Sequence, residues 1–115
     1  MRLYVPATLD LLGRWHEAGE VPAADPGVLG AFEAPDDTEE GEYAALMSAA
    51  DASAELLAGH GRRVVLVVET RSPSDPARSR DWQAVHADLV DRPEGADPDE
   101  DLGWFATQEI PDLIA

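Results

Sequence analysis

Three histidines, His16, His60 and His86, are the residues best able to hold a metal ion or move a proton near neutral pH. Only His86 has a partner by spacing. In an extended strand His86 and Asp88 point to the same side, so the two can share a ligand. Two ligands fall short of the three protein ligands that a catalytic zinc takes, and a solvated His–Asp pair is the plainer reading. His16 falls late in one expected helix and His60 at the end of another, where a cation suits the negative end of the helix dipole. Asp97-x-Asp99-x-Asp101 begins like a calcium loop. Such a loop needs glycine at its sixth position and a bidentate glutamate at its twelfth; here these are Leu102 and Gln108. No cysteine is present, and no Gly-x-Ser-x-Gly or Gly-rich phosphate loop occurs. The expectation is therefore no cofactor and no metal site, with His86 and Asp88 the best pair the spacing offers. Catalytic residues are not identified.

The strongest compositional fact is charge. Twenty-four acidic residues stand against eight basic ones in 115 residues, a formal net charge of −16. Every basic residue is arginine. A field of that sign repels nucleic acid and anionic membrane, so neither is expected as a partner, while a protein partner is. The acidity matches GC-rich coding first, salt adaptation second, and mimicry of nucleic-acid charge last. The length suits one domain spanning 1–115. No run of eighteen apolar residues and no leader-like N-terminus is found, so a cytoplasmic location is expected.

The elements that must position these residues centre on Val64–Val68, a run too short and too β-branched for a helix. With no polar alternation it reads as a central strand buried on both faces. Leu3-Tyr4-Val5 is a short strand ended by Pro6. Thr8 caps a helix that carries Leu9, Leu12, Trp15 and Ala18 and stops at Gly19. Glu20–Gly27 reads as loop and Leu29–Ala34 as a weak strand. The acidic stretch from Asp36 opens a long helix, with Asp37 and Glu40 as an acidic capping box. Tyr43, Leu46, Met47, Ala50, Ala54 and Leu57 mark its apolar face. Ser72–Arg80 is a loop and the only basic stretch. Trp82–Val90 and Leu102–Thr107 are strands, and Ile110–Ile114 is a docked tail or a single helical turn. The expected fold is a small α/β (α+β) domain, a mixed sheet of about five strands with two helices, in the order β-α-β-α-β-β-β. Parallel pairing is expected in the first half and antiparallel in the second.

Arg2-Leu3-Tyr4-Val5-Pro6-Ala7-Thr8, Glu42-Tyr43-Ala44-Ala45-Leu46, Arg63-Val64-Val65-Leu66-Val67 and Trp104–Leu113 together resemble a family of small uncharacterised bacterial proteins. It is a domain of unknown function found mainly in actinobacteria. The resemblance covers most of the chain and implies a bacterial cytoplasmic origin and no mechanism.

Trp104 and Phe105 are neighbours in a strand and so face opposite sides of the sheet. Whichever side lacks a helix exposes one of them as a contact surface. The leading expectation is a small acidic binding module for a protein or ligand, without catalysis, with Trp104 or Phe105 in its contact patch. The alternatives are a motif-free enzyme built on scattered carboxylates and His86, with a divalent metal, and an acidic nucleic-acid mimic. Oligomeric state is not legible.

Overall fold

The computed structural model describes residues 1–22, 31–58, 60–72 and 75–115. Among the described residues seven strands and three α-helices follow one another: β1 (Arg2–Ala7), α1 (Leu9–Ala18), β2 (Glu20–Val21), β3 (Phe32–Glu33), α2 (Glu39–Leu57), β4 (Val64–Glu69), β5 (Ala77–Arg78), β6 (Trp82–Ala87), β7 (Gly103–Phe105) and α3 (Ile110–Ile114). The main sheet has the order β3-β1-β4-β6-β7, and β2 pairs with β5 in a second, two-stranded sheet. The α+β class and the five-stranded sheet are as the sequence leads one to expect, and β4 is its central strand.

The direction of pairing differs from expectation. β1 runs antiparallel to both β3 and β4, and every other described pairing is antiparallel too. A helix between two strands does return the chain to the same end. Here β3 and β4, both opposed to β1, run the same way across α2, but β1 lies between them and separates the parallel pair. Residues expected as loops supply β2 and β5, and the C-terminal tail adds a third helix. Pro6 does not end β1: it pairs with Val65 inside the strand. β3 reaches only Leu3 and Tyr4, so the missing proline N–H leaves no described ladder bond unmade.

Alternation along β4 builds two cores. Val64, Leu66 and Val68 join Leu3, Val5, Leu12, Trp15, Val85, Ile110 and Leu113 under α1 and α3. Val65 and Val67 join Tyr4, Ala45, Ala49 and Ala50 under α2. Helix α1 has the caps its sequence suggests. The Thr8 hydroxyl accepts from Leu11 N at 3.1 Å, and Gly19 closes the helix at φ 76°. Glycine takes that left-handed conformation without the Cβ clash other residues meet.

Helix α2 differs from its expected form at both levels. Its N-cap is Thr38, whose hydroxyl accepts from Gly41 N at 3.0 Å, in place of the Asp37/Glu40 box. Asp36 fixes that cap by accepting from Thr38 N at 3.0 Å and from the Thr38 hydroxyl. These hydrogen bonds stabilise the carboxylate and hold the Asp36 pKa below its ordinary value. The buried face is Gly41, Ala45, Ala49, Ala50 and Ser53, while Tyr43 and Ala54 are exposed and Leu46, Met47 and Leu57 are half-buried. Small residues let the helix backbone approach the sheet closely, so the largest apolar residues flank the contact. Ser53 is fully buried. Its hydroxyl donates to Ala7 O at 2.6 Å and accepts from Val64 N at 2.9 Å. Ala7 ends β1 and its partner Val64 begins β4, so one hydroxyl locks the helix to that end of the sheet.

Candidate functional site

The two faces of the sheet are covered unequally. Helix α2 packs chiefly on β1, β3 and β4, and on the β6–β7 half of that face Trp104 is left exposed. Trp104 and His86 are partners in the β6–β7 register and both lie on this half. Trp104 is 62% exposed, whereas Phe105 points to the other side and packs against the larger core. A groove of about 430 Å³ runs between α2 and these strands. Glu39, Glu42, Tyr43 and Leu46 of α2 form one wall; Tyr4, Val67, Ala84 and His86 form the floor; Trp104 stands opposite. The β4–β6 register slips between Val67 and Val68, so Gln83 has no partner on β4 and projects at one end. Such a bulge re-aims side chains at a strand edge.

The rim is charged. Glu42 lies 3.4 Å from Arg2 Nη1, and Arg2 reaches Glu69 at 3.8 Å, all three partly exposed. The Tyr43 phenol donates to Asp101 Oδ1 at 3.1 Å. That bond, and the nearby carboxylates, hold its pKa above the ordinary tyrosine value. Tyr4 is raised as well, first by burial and then by Glu42.

His86 is half-buried in the groove floor, and burial depresses its pKa below the ordinary 6.5. The unfolded chain therefore binds this proton more readily than the folded one. His86 favours folding at pH above 6.5, and that contribution is lost as pH falls through 6.5 toward the lower folded value. The melting temperature of His86→Gln is accordingly expected to fall less steeply than that of the wild type below about pH 6.5. Two parallel curves would show that His86 protonates without hindrance.

Asp88 does not join His86. The strand ends at Ala87, and Asp88 turns into the interior to meet Arg63, which is 1% exposed. Asp88 Oδ1 accepts from Arg63 Nη2 at 2.8 Å, and Oδ2 accepts from Arg63 Nε at 3.0 Å and Arg63 N at 2.8 Å. The same guanidinium donates to Pro98 O at 3.1 Å and Glu100 O at 2.8 Å. Arg92 adds a donation to Asp97 O and a charge contact with Glu100 at 3.4 Å. The Asp97–Asp101 segment is thus a loop bound by arginines through its carbonyls, with Asp99 N closing on Asp97 Oδ1 at 2.9 Å.

Among the described residues no group of three or more histidine or carboxylate side chains is placed to hold a metal ion. His16 and His60 are exposed and lie away from the groove. Arg71, Arg78 and Arg80 line a separate depression, interleaved with Glu69, Asp75 and Asp81. No described helix is long and apolar enough to cross a membrane. Sequence reasoning missed Glu39, Glu42 and Tyr43 as groove residues, because periodicity assigned Tyr43 to the core. The Arg63–Asp88 pair was also missed; its one trace in the sequence is an arginine directly before an apolar strand.

The chain matches the family described as "Family of unknown function (DUF6912)" over residues 1–114. Comparison with curated proteins and with solved structures gives no match.

Proposed function

We propose, for a chain that belongs to the family of unknown function DUF6912, a binding module that takes a protein partner on the β6–β7 half of its sheet, with Trp104 at the centre of contact. The observation that carries this is the 62% exposure of Trp104 on the half of the sheet away from the main α2 contact. Large aromatics at such positions dominate contact energy, because they bury much area at little conformational cost. The groove beside Trp104 gives a partner side chain a place to insert. We also take the protein as bacterial and cytoplasmic, a reading supported by sequence resemblance and composition alone.

The test compares two neighbours. Trp104→Ser is expected to melt like the wild type and to lose capture of its partner from a lysate of the source cells. Phe105→Ser removes core packing and is expected to cost about 3 kcal/mol. A Trp104→Ser protein that still captures the same partner would place the contact elsewhere.

A further inference from the structure

The two edges of the main sheet are built differently. β3 has two residues, one of them the charged Glu33, and Pro35 follows after Ala34. Short length, charge and proline are the usual devices that keep an edge from pairing. β7 carries no charge and no proline, and among the described residues it has a neighbour on one side only. Apolar side chains flank that edge on both faces. Trp104 stands on the α2 side. On the other side, a Cβ built on Gly103 would lie 3.0 Å from Leu89 Cδ2 and 3.4 Å from a ring carbon of Phe105. Leu89 and the adjacent Val90 are 70% and 69% exposed.

Charge selects the occupant. The segment leading into β7 carries Asp97, Asp99, Glu100 and Asp101, and across the groove from Trp104 stand Glu39 and Glu42, the latter 3.4 Å from Arg2. A second copy of this chain would bring one acidic approach against another within a field of net −16. A strand with arginine or lysine at alternate positions meets the opposite condition. Its backbone completes the β7 ladder, and its cations meet the exposed indole and the acidic segment that leads into β7.

We propose that the free edge of β7 takes an extended basic segment of a partner protein as a sixth strand, its cationic side chains set against Trp104 and the acidic segment that leads into β7. This rests on the reading of Trp104 as a contact residue and adds the binding mode and the chemistry of the partner.

The probe is a synthetic peptide alternating arginine and valine. Two companions are used, one with glutamate for arginine and one N-methylated at alternate backbone positions. Trp104 is the exposed tryptophan, Trp15 and Trp82 being buried, so its emission reports occupancy. The expected result is a blue shift with the arginine peptide, weakened about tenfold by raising salt well above 0.1 M. No shift is expected with the glutamate or N-methylated peptide, and amide exchange should slow at Gly103–Phe105. Equal binding of the N-methylated peptide would overturn strand addition, and equal binding of the glutamate peptide would overturn the charge assignment. No binding of the arginine peptide, or a wild-type dimer at working concentration that the peptide does not dissociate, overturns the proposal as well. If these fail while Trp104→Ser still abolishes partner capture, Trp104 remains the contact and only the basic strand is wrong.

Discussion

Asp88→Ala is expected to cost about 3–5 kcal/mol, a large part of the roughly 5–15 kcal/mol that holds a domain of this size together. The substitution leaves the Arg63 guanidinium buried with its counter-charge gone, and it also strips the acceptor from Arg63 N. The carbonyls of Pro98 and Glu100 still receive donations, but they carry no full charge. Removing both charges is different. A double variant, Arg63→Met with Asp88→Leu, is expected to recover much of the loss, since a buried pair contributes little beyond a well-packed apolar replacement. Urea titration at neutral pH reads both. A cost below about 1 kcal/mol for Asp88→Ala would mean that Arg63 swings out to water when released.

The second large effect separates periodicity from packing. By spacing alone, Leu46 is the residue of α2 whose replacement by aspartate should do most harm. Contact with the sheet instead runs through Ala45, Ala49 and Ala50, and Ala49 is 0% exposed. Ala49→Asp is therefore expected to unfold the domain, since it drives a carboxylate against Tyr4, Val65 and Val67, with no partner for its charge. Leu46→Asp is expected to cost less, because a half-buried side chain can turn its charge toward the groove and water. Thermal melts of the two variants side by side decide the matter, and Leu46→Asp melting below Ala49→Asp would contradict the close approach of α2.

These two cases also mark what the sequence makes legible. Val64–Val68 announces itself because a strand buried on both faces has no other way to be written. Thr8 and Gly19 bound α1 because cap chemistry is local. That Trp104 and Phe105 face opposite ways follows from strand alternation. Which of them meets water does not, since that depends on α2 settling over β1, β3 and β4, a matter of three-dimensional placement. The Arg63–Asp88 pair lies beyond local reading for the same reason: it joins residues 25 apart through the register of neighbouring strands. Strand direction is hidden because β1 inserts between two strands that a helix connects, which no local pattern encodes. Small residues on the inner face of α2 look like mere helix formers until the sheet beneath them is seen.

The order of strands around β4 also sets a sequence of events in time. β6 follows β4 closely along the chain, whereas β1 is separated from β4 by two helices and two short strands, β2 and β3. Closing the longer loop costs more chain entropy, so β4 is expected to meet β6 first and to accept β1 late. The Ser53 hydroxyl, bridging Ala7 and Val64, then acts as a latch that closes at the end of folding and opens at the start of unfolding. Contacts on the β1 side would govern how fast the domain opens, and those between β4 and β6 how fast it forms. A folding rate slowed as much by Val5→Ala as by Val85→Ala would contradict that order. A domain with such a latch loses its first strand before its centre, and both cores lose a wall at once, Leu3 and Val5 from one and Tyr4 from the other.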